Sequence, residues 1–323
     1  MSETTPDSRG RPAPLTRVFG WGSLFVLAAF LFSNILNVGF DFPDRLGLSP
    51  AGQIPLQTGL YAVAILLAVA HVFQRPDRAL RWEARRISAF NTWLIRAAFF
   101  SVLMVGVADA LIAFFRVEEL LAEAGELERN LRQPQWVVLY VHVPLVILGG
   151  AIACFSRTLG FPWLALMIVA AELLIVITRF IFSYEQALMG DLVRYWYAAL
   201  FLFASAYTLI EEGHVRVDVF YAGFGRTTKG FCNAFGTIAF GMVTAWTIIL
   251  VGFNGKYSII NSAVVNFEIS QAGAAGMFIK YQMATFLGIF AITMLIQFVS
   301  YLFEAVADMR DEPGNIERVG PVH

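Results

Sequence analysis

Residues 161–183, FPWLALMIVAAELLIVITRFIFS, place two ionisable side chains, Glu172 and Arg179, in an otherwise apolar run. A transmembrane helix needs about 20 apolar residues, each rising about 1.5 Å. This run meets that requirement, and seven more share its character: 18–37, 55–73, 92–115, 135–155, 193–211, 232–254 and 277–306. The last is long enough to project beyond a bilayer. No repeated ten-residue alternation of the kind a membrane barrel requires is present. In hydrocarbon the backbone must satisfy its own hydrogen bonds, which a helix does within one segment. The sequence therefore predicts an all-α fold, a polytopic transmembrane helical bundle of about eight spans.

Composition agrees. Only 15% of the 323 residues are charged and 58% are hydrophobic, against about 25% charged in a soluble domain. The mean hydropathy is +0.66. A net charge of −1 gives no sign of a nucleic-acid partner. Cys154 and Cys232 lie in or beside apolar runs, so there is neither a disulfide framework nor a CxxC pair. The first run follows Arg9, Arg11 and Arg17, exceeds a signal-peptide core and lacks an Ala-x-Ala exit, so it reads as an uncleaved span. Placing the N-terminus inside gives fourteen Lys and Arg in the inner connections and seven in the outer ones. By the positive-inside rule both termini are cytoplasmic, with tails over residues 1–17 and 313–323.

Two connections hold more than a turn. Residues 75–90 carry five Arg interleaved with Leu80, Trp82, Ile87 and Phe90, which predicts a basic segment on the cytoplasmic membrane surface or an ordinary topology signal. Residues 116–132 carry five Glu with apolar residues at helical spacing up to Pro134, which predicts an amphipathic helix.

Ionisable residues inside spans each need a partner or a role, because a charge at mid-bilayer is unfavourable by about 2.5–3.5 kcal/mol. Glu172 lies near the middle of its span. Asp109 and Arg179 lie at similar depth in the outer halves of theirs, so pairing between them is expected. Arg96 is near the inner end of its span and can snorkel. His142 is nearest in depth to Glu172. No GxxxxGK[ST] phosphate loop occurs; Gly225-Arg226-Thr227-Thr228-Lys229-Gly230 has those letters in the wrong order. No HExxH or Cys/His cluster suggests a metal site, and no cofactor is expected. Spans interrupted by paired Gly or Pro, the usual mark of a carrier's own substrate site, are missing. Gly149-Gly150 is one doublet of the kind that brings two helices close.

Between two spans stands a charged island, Glu211-Glu212-Gly213-His214-Val215-Arg216-Val217-Asp218-Val219-Phe220-Tyr221. As a helix it puts His214 and Asp218 on one face; extended, it puts His214, Arg216 and Asp218 on one face and the valines on the other. Phe220, Tyr221, Phe224, Arg226 and Lys229 suit a headgroup zone, which predicts an interfacial helix near 217–230 in contact with membrane lipids.

From about residue 160 to 312 the chain resembles the small membrane subunit, DctQ type, of the tripartite ATP-independent periplasmic (TRAP) transporters. Arg179 within Ile177-Thr178-Arg179-Phe180-Ile181-Phe182 matches the Arg closing that family's first span. Asp191-Leu192 stands where Glu-Leu is usual. Ala204 to Leu209 leads into the island, whose Glu212, His214, Arg216 and Asp218 match the family's signature loop. Glu268-Ile269-Ser270 and Ile279-Lys280 match the entry to the last span, and Gln297 the Gln within it. Typical members have four spans, so residues 157–312 form the family-like region and 18–156 an additional four-span region.

The resemblance implies a non-catalytic subunit of the bacterial inner membrane. Its partners would be a large sodium-coupled permease and a periplasmic substrate-binding protein, and the cargo a carboxylate. Two other readings remain open from the residues: a standalone proton-coupled carrier using Glu172, Asp109 and Arg179, or a membrane enzyme or anchor subunit using His142 and His214.

Overall fold

The computed structural model describes residues 9–41, 56–120, 123–158, 160–210 and 221–314. Among these, regular structure is helical throughout, apart from one isolated antiparallel bridge between Arg9 and Arg78. Seven helices are long and apolar enough to cross a membrane: α1 (Pro14–Phe40), α3 (Leu80–Val117), α5 (Pro134–Phe155), α6 (Phe161–Phe182), α7 (Ala187–Ile210), α8 (Arg226–Gly252) and α10 (Lys280–Met309). The remaining apolar run is helix α2 (Leu56–Phe73), which over Thr58–Phe73 falls short of a full crossing. The protein is thus an all-α polytopic bundle. Two short helices, α4 (Glu126–Leu131) and α9 (Ile259–Val265), sit in connections.

Starts and stops follow local chemistry. Pro14, Pro134 and Pro162 occupy first-turn positions, where a missing N–H costs nothing. Asp41 and Ser183 close α1 and α6 in the left-handed conformation, each returning its N–H to a carbonyl of the last turn. Two of the long helices contain a π-helical segment, Val138–His142 in α5 and Thr237–Met242 in α8.

Three expectations are corrected. Residues 80–90 are not a separate surface segment but the first turns of α3, which has 38 residues. At about 1.5 Å per residue it outreaches a hydrocarbon core of about 30 Å. Its Arg81 and Glu83 point to polar partners inside the protein, which an interfacial helix would leave in water. Residues 116–132 do not form one amphipathic helix. Glu119 (φ 55°) and Gly125 (φ 60°) break the chain, and the six residues of α4 are not buried. The interfacial helix expected near 217–230 is a single 3₁₀ turn at Tyr221–Gly223, then the start of α8; residues 217–220 lie outside the described residues.

The chain forms two compact units, each drawing on both halves of the sequence. The first comprises Met1–Ala89, His214–Thr247 and Met294–His323. In it α1 packs against α2, and Arg17, 0% exposed, forks onto Glu83, 1% exposed, at 2.7 and 2.8 Å. Arg17 also donates to the Arg75 carbonyl at 2.7 Å, and Trp21 Nε1 to Glu83 at 3.2 Å. Arg81 binds Asp308 at 2.7 Å and also Glu304; Arg226 binds Asp311 at 2.6 Å and Asp308 at 3.3 Å. The Gly10 N–H donates to the Asp77 carbonyl at 2.7 Å, and Arg310 to the Pro12 carbonyl at 3.1 Å. Residues 10–12 therefore lie beside the C-terminal end of α10. Arg78 and Arg86 flank the Trp82 ring at 4.3 and 4.9 Å.

The second unit comprises Phe90–Gly213 and Ile248–Thr293. Its centre is aromatic: Phe99, Phe203, Phe286 and Tyr195 follow one another with ring centroids 5.0–5.6 Å apart. α3 and α5 approach so closely at Gly149 that a Cβ there would lie 2.7 Å from the Ser101 backbone nitrogen. Gly150, the other half of the doublet, has open space around it.

These contacts generate two expectations. Gly149→Ala should destabilise by about 1–3 kcal/mol, because backbone cannot move aside as a side chain can. Gly150→Ala should be neutral or stabilising by up to about 1 kcal/mol. Thermal unfolding in detergent of the two variants separates a packing role from mere helix propensity. Glu83→Ala strands Arg17 in the interior and should lower stability by about 3–5 kcal/mol in the same assay.

Candidate functional site

The second unit gathers its polar residues around one loop, 266–279, which joins α9 to α10. Ser258 caps α9 by accepting the Asn261 N–H. Phe267 (φ 48°) and Gly273 (φ 61°) then turn the chain back. The Ser270 N–H donates to the Met277 carbonyl at 3.1 Å and the Tyr281 N–H to the Glu268 carbonyl at 2.9 Å, so the loop closes on itself. Glu268 and Lys280 pair at its base at 2.7 Å.

Three side chains from neighbouring helices latch this loop. Arg116, at the end of α3, donates to the Ala274 carbonyl at 2.7 Å and to that of Gly276, and its guanidinium lies 3.9 Å above the Phe278 ring. Asp191, in the first turns of α7, accepts the Met277 N–H at 3.2 Å. Asp109, 0% exposed, accepts the Phe278 N–H at 2.6 Å. Two carboxylates and a guanidinium thus satisfy backbone groups that a loop beside membrane helices would otherwise bury unpaired. At Gly276 even a Cβ would sit 2.6 Å from the Asp191 carboxylate, which is why that position has no side chain.

Behind the latch runs a buried chain of hydrogen bonds. Asp109 Oδ1 meets His142 Nε2 at 3.2 Å, His142 Nδ1 meets the Tyr281 hydroxyl at 2.8 Å, and Gln282 Nε2 donates to that hydroxyl at 2.8 Å. Tyr195 donates to Gln282 Oε1. With His142 neutral, donation runs in one direction from Tyr195 to the Asp109 carboxylate and every group is satisfied. The π-helical segment Val138–His142 sets the direction of the His142 ring, consistent with the tendency of such segments to mark specialised positions.

The residues singled out from sequence divide sharply. Asp191, Glu268, Ser270 and Lys280 converge on this loop. Asp109 joins them, but its expected partner does not: Arg179 is exposed on α6, 3.6 Å from Glu185. Equal depth says nothing of which helices are neighbours, so the expected Asp109–Arg179 pair is corrected to Asp109–His142. Glu172 is exposed on α6, and Gln297 is buried in the first unit. Glu212, His214, Arg216 and Asp218 lie outside the described residues. Arg116, Tyr281 and Gln282 were not anticipated. The spacing of Asp109 and Arg116, seven residues and so two turns on one face of α3, is a signal that could have found Arg116.

Residues 165–308 match the family of tripartite ATP-independent periplasmic transporters, DctQ component. That stretch is DctQ-like. Neither a curated protein nor a solved structure matches the chain. The DctQ-like span begins in α6 and ends in α10, and the apolar helices α1, α2, α3 and α5 precede it. Asp191, Glu268, Ser270 and Lys280 lie inside that span. Asp109, Arg116 and His142 lie before it, so helices of the N-terminal addition latch a loop of the DctQ-like span.

Asp109→Ala should lower thermal stability by about 1–3 kcal/mol for the stranded Phe278 N–H alone. It should also expose a cysteine placed at Ala274 to aqueous thiol reagents. Arg179→Ala should change stability by no more than about 1 kcal/mol. In double-mutant cycles Asp109 and His142 should couple, while Asp109 and Arg179 should be additive.

Proposed function

We propose that the chain is the non-catalytic small membrane subunit of a TRAP-type secondary transporter in a bacterial inner membrane, with both termini cytoplasmic. It scaffolds a large sodium-coupled permease that imports an organic acid delivered by a periplasmic binding protein. The observation that carries this reading is how the buried ionisable groups of the DctQ-bearing bundle are used. Arg17, Glu83, Arg81, Asp109, Arg116 and His142 all engage partners in the same chain that fix helices and a loop. This is the economy of a rigid frame. A carrier keeps charged groups available to substrate or coupling ion at a midplane site. The competing proton-carrier reading needed Glu172, Asp109 and Arg179 to act together, whereas Asp109 is buried beside His142 and the other two are exposed on α6.

Within this reading the N-terminal addition is a brace. Helix α3 holds the end of α10 through Arg81 in one unit and the entrance to α10 through Asp109 in the other. His214, Arg216 and Asp218 form a cytoplasmic contact for the permease or for lipid headgroups.

Reconstitution provides the test. In liposomes under a sodium gradient the chain alone should give no uptake of candidate carboxylates above empty vesicles. Adding the large permease and the binding protein should restore uptake. Sodium-driven uptake by the chain alone would overturn the subunit reading. A cysteine at Arg78 should react with impermeant reagent only from the cytoplasmic side.

A further inference from the structure

Helix α6 is the least covered of the long helices: of its 22 residues only Leu164 and Ile168 are buried. At about 1.5 Å per residue it is matched to the hydrocarbon thickness. Leu166, Val169, Leu173, Val176 and Phe180 are exposed along it, as expected of a surface facing lipid or another membrane helix. Glu172 stands among them at the helix midpoint, exposed.

No hydrogen bond or ion pair engages Glu172 among the described residues. Its own helix offers nothing, since Ile168, Val169, Ile175 and Val176, one turn away on either side, are all apolar. Snorkelling fails as well, because the midpoint is the depth farthest from either headgroup layer. An unpartnered carboxyl at mid-depth facing lipid is among the least favourable placements in a membrane protein, and such groups normally face protein.

From this we infer that the Val169–Glu172–Val176 face of α6 docks against a transmembrane helix of the large permease, which carries a basic or hydrogen-bond-donating side chain at mid-bilayer depth opposite Glu172. The inference rests on the subunit reading above and names where its partner binds. Charge selects the occupant. Two copies of this chain meeting through the same face would bring Glu172 near Glu172, because a two-fold interface pairs a patch with itself. A heterologous helix bearing a donor satisfies the carboxyl instead. Arg179, two turns along the same face and exposed, lies near the helix end, where it can reach the interface or its neighbour Glu185.

The experiment co-expresses the tagged chain with the large permease and compares wild type, E172Q, E172L and E172K. Two readouts are taken: permease recovered with the chain, and thermal stability of the chain purified alone. E172L should reduce recovered permease by about ten-fold, the equivalent of one interhelical hydrogen bond in a membrane. E172K should reduce it further, and E172Q, which keeps an acceptor, should reduce it least. The isolated chain should be no less stable as E172L than as wild type, since leucine suits lipid better than a carboxyl. A photo-crosslinking residue at Val176 should capture the permease. Undiminished recovery with E172L, loss of stability in isolated E172L, or a Val176 crosslink to a second copy of the chain would each overturn the inference alone. Failure of the wild-type chain to recover the permease would instead overturn the subunit reading, and this inference with it.

Discussion

Helix α3 runs antiparallel to α10, and polar ties fix the register between them. The Ser300 hydroxyl donates to the Ala84 carbonyl, and Asn91 donates to the Thr293 carbonyl: seven residues forward along one helix, seven back along the other. Arg81 clamps Glu304 and Asp308 near one end of the pair, and Asp109 takes the Phe278 N–H just before α10 begins. Membrane helices gain little from burying apolar surface against one another, since lipid tails are equally apolar. Directional ties of this kind therefore do the orienting. α10 is the most deeply buried of the long helices.

This pairing explains why the N-terminal addition does not stand apart from the DctQ-like span. Three of the unit boundaries fall within α3, α8 and α10, and none falls between the two sequence regions. The aromatic centre of the second unit takes Phe99 from the addition and Tyr195, Phe203 and Phe286 from the DctQ span. The latch on loop 266–279 is built the same way, with Asp191 from inside that span and Asp109 and Arg116 from outside it.

What the sequence disclosed and what it hid differ in kind. Apolar runs report burial in hydrocarbon, so the helices were legible to within a few residues at most ends. The positions Asp191, Glu268, Ser270 and Lys280 were legible through resemblance, and in the structure all four lie on or against one loop. Neighbour relations were not legible. Depth along a span is readable from residue number, but which spans face each other is decided by packing, so Asp109 was matched to Arg179 when His142 was its partner. Backbone conformation was hidden too. The residues of 116–132 have helical spacing, yet positive φ at Glu119 and Gly125 divides them. The charge of Arg81 and Glu83 read as surface character because composition does not show that each has a counter-ion within the protein.

The π-helical turn at Val138–His142 has a consequence for how this architecture arises and is kept. A π turn holds one residue more than an α turn between hydrogen-bonded groups. Side-chain replacement alone does not supply that extra residue; the chain must be longer by one codon. Removing one residue there would leave α5 helical and equally apolar, yet would turn everything before the cut by about 100° relative to everything after it. His142 and Gly149 would then no longer face α3 together with Trp136 and Val137 on their present sides. Length, more than residue type, is therefore the inherited quantity that keeps the imidazole aimed at Asp109. Relatives that share this latch are expected to preserve the number of residues between Pro134 and Gly149 more strictly than their identity.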